Sequence, residues 1–163
     1  LDQARPTVVM FVHPRCPCTQ ASVEGLARLQ RKFQDRFALR VVFNVPQGMA
    51  PDWHQSTLWD SVGRLPDCER LVDIGGHITN QAGAETSGTV ALYEPDGRLV
   101  FWGGVTASRG HAGDSPGSDA LASYFNDKPF PVRTDVFGCQ MSGPDDLRCE
   151  TKPTEHCPFC KDE

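Results

Sequence analysis

Cysteine chemistry is the first property that the sequence suggests. Cys16 and Cys18 are separated only by Pro17, and they follow an apolar run at residues 7–13 that predicts a buried strand. A helical pattern of apolar residues comes after them, so the pair should lie at a helix N-terminus, where backbone N–H groups and the helix dipole stabilise an anion. A thiolate there should have a lowered pKa. The spacing therefore indicates reactive thiols, and a purely structural disulfide or two inert thiols is the alternative.

The elements expected around this pair alternate between strands and helices. Strands are predicted at residues 7–13, 39–45 and 70–74, and a hairpin at 89–93 and 98–102 around a Glu-Pro-Asp-Gly turn. Helices are predicted after Cys18, at 52–63, at 77–82 and up to residue 126, the last one capped by Ser118 or Asp119. A strand–helix–strand unit followed by an antiparallel hairpin predicts an α/β fold, with a mixed sheet and helices on both faces.

Composition is that of an ordinary globular domain. The chain has 163 residues, of which 39% are hydrophobic and 23% charged, and this excludes wholesale disorder. The longest unbroken apolar run, residues 8–12, is too short to span a bilayer. A net charge of −5 without a dense Lys/Arg stripe argues against nucleic-acid binding. Because periodicity is lost after Lys128, we predict a domain at 1–127 and a Cys- and Pro-rich tail at 128–163.

The cysteine content favours an exported protein. Seven cysteines in a chain of this length are typical of an oxidising compartment, or of metal or redox work. The sequence begins at Leu1 rather than Met. We therefore expect a periplasmic protein from which a signal peptide or membrane anchor has been removed.

We expect cross-links in the tail, because an irregular, proline-rich segment cannot become ordered by apolar burial alone. Disulfides among its four cysteines are the first explanation, and one of the three pairings joins Cys139 to Cys149 and Cys157 to Cys160. Zinc bound by Cys149, His156, Cys157 and Cys160 is the second. A relay of electrons between the tail and the Cys-Pro-Cys pair is the third.

The seventh cysteine, Cys68, lies outside these motifs. A buried or spare thiol is expected there, and an intermolecular disulfide is the alternative.

Several stretches of the chain resemble the thioredoxin superfamily. Residues 8–29, in which Cys-Pro-Cys opens a helix, resemble the superfamily as a whole. Residues 83–89 and 93–97 are similar to the strand–turn–strand of its exported branch, which includes TlpA-, ResA- and Sco-like proteins. The combination of residues 13–18 with 106–111 resembles bacterial RedB-like proteins. The resemblance covers residues 6–127 and implies a thioredoxin-like fold.

The resemblance implies a periplasmic thiol–disulfide oxidoreductase that acts on protein thiols and disulfides and needs no cofactor. Cys16, the more exposed member by family analogy, would form a mixed disulfide with the partner, and Cys18 would resolve it. The neighbouring residues expected to support the pair are His13, Arg15, Gly88 and Arg109. Of these, Arg15 or Arg109 would stabilise a thiolate, and His13 would be a packed neighbour.

Two departures from the superfamily pattern favour a metal-binding alternative. Thioredoxins place two residues between the cysteines and this chain places one, so a Cys16–Cys18 disulfide would be strained and would act as an oxidant or isomerase. Gly88 stands where the superfamily has a cis-proline that keeps metal off the thiols. The alternative is a copper-binding protein or metallochaperone that delivers Cu(I) to a copper-receiving partner, with zinc also considered. Its ligands would be Cys16, Cys18 and either His111 or Cys139. An interaction module whose cysteines are only structural is a third interpretation.

Overall fold

A fully buried central strand, β1 (Thr7–Val12), organises the sheet in the computed structural model, which describes residues 1–141. Burial on both faces explains why this stretch is continuously apolar rather than alternating. β1 pairs in parallel with β2 (Ala38–Val45) and antiparallel with β4 (Thr89–Tyr93). The segment that follows β1 therefore starts in the middle of the sheet, with β2 on one side of β1 and β4 on the other.

Two outer strands complete the sheet. β3 (Cys68–Ile74) runs parallel to β2, and β5 (Leu99–Gly103) runs antiparallel to β4, which gives the order β3-β2-β1-β4-β5. The β4–β5 turn closes with hydrogen bonds from Glu94 N to Arg98 O and from Gly97 N to Glu94 O, each 2.9 Å long. The predicted mixed sheet and hairpin are both confirmed.

Helices cover both faces of the sheet, as expected. The larger core holds residues of α1 (Thr19–Lys32), α2 (Thr57–Gly63) and α4 (Pro116–Phe125), and its largest fully buried side chains include Phe43, Phe101 and Phe125. On the opposite face, Ala82 of α3 (His77–Ala82) packs against a smaller cluster that contains Phe11 and Met141. Within residues 1–141, no helix combines the length and apolar content that crossing a bilayer requires.

Two helices begin at different residues from those predicted. α4 is capped by Ser115, whose hydroxyl accepts from Ser118 N at 3.1 Å, so the expected caps Ser118 and Asp119 are wrong. Pro116 suits the first helical position, because the N–H that it lacks would have no partner there. α2 is shorter than the predicted helix at 52–63, because Ser56 caps it and residues 51–54 form turns.

The chain beyond α4 runs back along the sheet. Trp102 N donates to Val132 O at 2.9 Å, and Thr134 N donates to Trp102 O at 3.2 Å. Further on, Ser87 N donates to Cys139 O at 2.8 Å, which brings this segment beside the residues that precede β4. The division of the chain at residue 127 stays a prediction, and residues 142–163 lie outside the described part.

Candidate functional site

The cysteine pair occupies the junction between β1 and α1. The chain turns after β1 through a hydrogen bond from Cys16 N to His13 O, 3.0 Å long, and Thr19 N then donates to Cys16 O at 3.3 Å. Cys18 is the N-cap of α1, with a helical backbone (φ −64°, ψ −29°) and no side-chain capping bond. Both cysteines are buried, with 3% of Cys16 and 9% of Cys18 exposed. The expectation that Cys16 is the more exposed member is wrong, because Cys139 and Thr19 contact its sulfur. The sulfur atoms therefore lie at a helix N-terminus, as the sequence predicts.

A third cysteine joins the pair. Cys16 Sγ lies 2.8 Å from Cys139 Sγ, and the Sγ atoms of Cys16, Cys18 and Cys139 all lie within 4.8 Å of one another. No disulfide joins any two of the four cysteines in residues 1–141. The structure thus brings Cys139 beside the pair, although it follows Cys16 by 123 positions, and we call these three cysteines the sulfur cluster.

The approach of Cys139 depends on close backbone packing. Thr86 and Gln140 form an isolated antiparallel bridge, and Ser87 N donates to Cys139 O. A Cβ atom on Gly138 would overlap the carbonyl oxygen of Ser87. A glycine is therefore required at this position for Cys139 to reach Cys16.

The surroundings of Cys16 favour its thiolate. The hydrogen bond with Cys139 is the largest influence and lowers the pKa of Cys16, with smaller contributions from the Thr19 side chain and from the backbone N–H groups of Cys139 and Thr19. Burial opposes these contacts, because it disfavours the charged form. The net effect lowers the pKa of Cys16 to about 4, so the thiol is ionised at neutral pH.

A chain of buried hydroxyl groups supports this thiolate. The Oγ atoms of Thr19 and Ser87 lie 2.7 Å apart, and Ser87 Oγ accepts from His13 N at 2.8 Å. Because the Thr19 hydroxyl donates to the Cys16 sulfur, Ser87 must be the donor in its bond with Thr19. The three hydrogen bonds therefore run in one direction, towards the sulfur, and polarise one another.

Sequence reasoning missed both hydroxyl residues. Their only signal is their location, since Thr19 directly follows Cys18 and Ser87 directly precedes Gly88. Ser and Thr are common throughout proteins, and only the three-dimensional contact distinguishes these two residues.

His13 and Arg15 pack around a tryptophan that the predicted site did not include. His13 is buried, its ring meets the Trp53 ring edge-on at 5.2 Å, and its Nδ1 atom accepts from Arg15 N at 3.3 Å. The exposed Arg15 places its guanidinium carbon 4.9 Å from the centroid of the Trp53 ring. The three side chains pack against one another beside the β1–α1 turn.

Gly88 lies directly before β4, where the resemblance expects the superfamily's proline. Its N–H donates to Phe11 O at 2.8 Å and its φ is +93°, a backbone conformation that favours glycine. A Cβ atom here would lie 3.0 Å from Ser22 Oγ of α1. Residues 1–141 contain no cis peptide bond.

The structure does not bring His111 into the group of metal-ligand atoms that the three cysteines form. Arg109 and His111 are exposed in the loop 104–115, and the one group of metal-ligand atoms found among the described residues consists of the three cysteines alone. Cys149, His156, Cys157 and Cys160 lie outside residues 1–141, so the tail disulfides and the tail zinc site stay predictions.

Cys68 lies away from the sulfur cluster, at the start of the edge strand β3. It is half-buried, and burial raises the pKa of its thiol to about 12. A thiol in this state is a poor nucleophile at neutral pH, which makes Cys68 a useful internal reference for Cys16.

Comparison with known proteins gives matches among solved structures. No family model and no curated protein matches the chain. The hypothetical protein SMc02350 from Sinorhizobium meliloti 1021 is 20% identical, with a TM-score of 0.65 over 85% of this chain and 80% of that one. An uncharacterized conserved protein from Geobacillus kaustophilus is 18% identical, with a TM-score of 0.67 over 93% and 79%.

A third solved structure has a described activity. It is a secreted Mycobacterium tuberculosis disulfide oxidoreductase homologous to E. coli DsbE, 16% identical, with a TM-score of 0.52 over 78% of this chain and 84% of that one. At such low identity the likeness concerns the fold. A thioredoxin-like protein solved in its oxidized form also matches, with a TM-score of 0.54, 15% identity and coverage of 77% of this chain and 80% of that one. Together with the sheet order, this likeness shows that the chain has the thioredoxin-like fold.

Proposed function

We propose that the protein is a thiol–disulfide oxidoreductase that exchanges disulfides with protein partners through Cys16. The observation that carries this proposal is the Cys16 thiol at the start of α1, with a pKa lowered to about 4 and a second thiol 2.8 Å away. A thiolate is the reactive form in disulfide exchange, and a low pKa also makes it a good leaving group.

The low pKa favours the oxidising direction. Contacts that stabilise the Cys16 thiolate stabilise the reduced protein, and a disulfide whose reduced form is stabilised is a strong oxidant. A partner thiolate attacks Cys16 Sγ of the oxidised protein, and the second sulfur of that disulfide leaves as a thiolate. A second partner thiolate then displaces Cys16, so the partner gains a disulfide and the protein gains two electrons. Cys18 is the predicted second cysteine.

An oxidising protein of this kind belongs outside the cytoplasm. The seven cysteines support a periplasmic or otherwise exported location, as do two structurally similar proteins. One is the secreted Mycobacterium tuberculosis protein described above, and the other is an exposed lipoprotein thioredoxin from Streptococcus pneumoniae with a TM-score of 0.51. A membrane anchor preceding Leu1 stays a prediction.

The test is a single-turnover oxidation of a reduced peptide that contains two cysteines. Oxidised protein, freed of small oxidants, should convert one peptide dithiol per chain to a disulfide, as followed by mass spectrometry. The Cys16→Ser variant should lose this activity, and Cys68→Ser, which alters a thiol outside the sulfur cluster, should retain it. Oxidation of the peptide by Cys16→Ser at the wild-type rate would overturn the proposal.

Binding of Cu(I) is the second candidate, and the sulfur cluster itself supports it. Three cysteine sulfurs within 4.8 Å of one another offer the soft ligands that Cu(I) prefers. The ligands would be Cys16, Cys18 and Cys139, and the exposed His111 would take no part. Anaerobic titration of the reduced protein against a Cu(I) chelator tests this. Cys139→Ser should weaken binding and His111→Ala should not, whereas equal affinity in Cys139→Ser would exclude the three-sulfur site.

A further inference from the structure

We propose that Cys139 is the resolving cysteine of this protein, so that the redox disulfide joins Cys16 to Cys139 instead of closing within Cys-Pro-Cys. This inference rests on the proposed thiol–disulfide exchange at Cys16. It assigns the second cysteine of that reaction to a residue 123 positions further along the chain, outside the motif that opens α1.

The first support is that Cys139 is held against Cys16 by its backbone. Its carbonyl oxygen accepts from Ser87 N at 2.8 Å, and the next residue but one, Met141, donates its N–H to Glu85 O at 2.8 Å. Between them, Gln140 forms the bridge with Thr86. These contacts fix the backbone of Cys139 and of the two residues that follow it, so the fold of this segment holds the Cys139 sulfur 2.8 Å from Cys16.

The second support is the backbone at Cys18. Cys18 already has helical φ and ψ angles, and Thr19 N and Gln20 N donate to the carbonyl oxygens of Cys16 and Pro17 at 3.3 Å. The Sγ atoms of Cys16 and Cys18 lie within 4.8 Å of each other, but a single residue separates the two cysteines in this hydrogen-bonded turn. Closing a disulfide across one intervening residue would therefore strain this turn or open it. A bond from Cys16 to Cys139 leaves the start of α1 unchanged.

The reaction balances with a protein dithiol as the only co-reactant. A partner thiolate attacks Cys16 Sγ, the bond between Cys16 and Cys139 breaks, and Cys139 leaves as a thiolate that takes up a proton. The second partner thiol, after losing its proton, attacks the partner sulfur of the mixed disulfide, and the Cys16 thiolate leaves. The partner is oxidised by two electrons and the protein disulfide is reduced by two. In the reverse direction, Cys139 resolves the mixed disulfide on Cys16.

Peptide mapping of the oxidised full chain tests the assignment directly. Cleavage after Arg15 and Arg28 puts Cys16 and Cys18 in one tryptic peptide, 16–28, and cleavage after Arg133 and Arg148 puts Cys139 in another, 134–148. We expect mild oxidation with oxidised glutathione, followed by alkylation and digestion at low pH, to yield these two peptides joined. The link should persist in Cys18→Ser and disappear in Cys139→Ser.

Two results would overturn the assignment. One is peptide 16–28 with an internal disulfide together with an alkylated Cys139. The other is peptide 134–148 joined to the tail peptide 149–161, which contains Cys149, Cys157 and Cys160.

A kinetic comparison separates this inference from the proposed function. In the single-turnover assay, Cys139→Ser should lose peptide oxidation as completely as Cys16→Ser does. In addition, reduced Cys139→Ser mixed with a disulfide-containing peptide should accumulate a Cys16–peptide mixed disulfide. If Cys139→Ser oxidises the peptide normally while Cys16→Ser does not, this assignment fails and the proposed function stands. If both variants oxidise the peptide normally, both proposals fail.

Discussion

At the scale of single residues, hydrogen bonds to one sulfur determine the reactivity of the site. With a pKa lowered to about 4, Cys16 should react with iodoacetamide at a rate that is flat from about pH 6 upwards and falls as the pH approaches 4. Cys68, with a pKa raised to about 12, should stay unmodified at neutral pH. The rates can be read from peptides 16–28 and 65–70 in a Cys18→Ser background. A Cys16 rate that rises tenfold per pH unit between pH 6 and 8 would contradict the lowered pKa.

A second prediction concerns the origin of the lowered pKa of Cys16. Removing a hydrogen bond to a charged group costs roughly 1.5–3 kcal/mol, so Cys139→Ala should move the alkylation midpoint of Cys16 upwards by about one to two pH units. Thr19→Val should move it in the same direction by less, because its contact is the smaller influence. The midpoint in Cys68→Ser should not change. An unchanged midpoint in Cys139→Ala would contradict Cys139 as the largest influence on the Cys16 pKa.

The sequence identifies the Cys-Pro-Cys pair of the site, but not the residues that contact it. Cys16 and Cys18 could be selected because two cysteines between a strand and a helix have a distinctive spacing. Ser87 and Thr19 could not, because their part depends on a 2.7 Å contact between hydroxyls 68 residues apart. Cys139 is only one of two candidates for a third ligand, and nothing in its neighbours Gly138 and Gln140 favours it over His111.

At the scale of elements, the segment that carries Cys139 is the least predictable part. The strands and helices follow from periodicity, because each buries a face that the sequence pattern reveals. Residues 128–141 have no such pattern, and their path is set by hydrogen bonds to Trp102, Ser87 and Glu85. The prediction of where α4 starts was wrong for a related reason. Ser115, Ser118 and Asp119 are all acceptable caps, and only Pro116 at the first helical position favours Ser115 over the other two.

Gly138 provides the test at this scale. In Gly138→Ala the new Cβ would overlap Ser87 O, so the segment must move and Cys139 must withdraw from Cys16. We expect the joined peptides 16–28 and 134–148 to form at least about tenfold more slowly than in the wild type. Gly110→Ala is the control, because it adds backbone strain in an exposed loop where a Cβ atom has nothing within 4 Å. Equal rates in the two variants would show that close packing at residue 138 does not position Cys139.

At the scale of the whole molecule, the Cys16 thiolate links stability to pH. The pKa of Cys16 is lower in the folded protein than its ordinary value of 9.0, so ionisation stabilises the reduced fold. This contribution is complete above about pH 9 and is lost progressively as the pH falls towards 4. The reduced wild type should therefore gain stability over Cys16→Ser between pH 5 and pH 8, as measured by urea unfolding. A difference that does not change with pH would contradict the expectation.

The overall architecture connects these effects to the proposed activity. β1 is buried on both faces by two cores, so the turn that carries Cys16 follows the fully buried central strand of the sheet. The segment with Cys139 reaches the same point from the far end of the described chain. Cys16 lies at the end of the central strand, and a separate segment holds Cys139 beside it. This arrangement of two sulfurs suits thiol–disulfide exchange.

The most direct test of exchange at Cys16 is a redox titration of that residue. Full-length protein is equilibrated with glutathione buffers of graded ratio, quenched with acid and alkylated, and the oxidised fraction of peptide 16–28 is measured by mass spectrometry. We predict a two-electron transition with a midpoint clearly more oxidising than that of thioredoxin, which is about −270 mV. Peptide 16–28 that stays reduced in every buffer, or a midpoint at or below the thioredoxin value, would contradict the proposed oxidant.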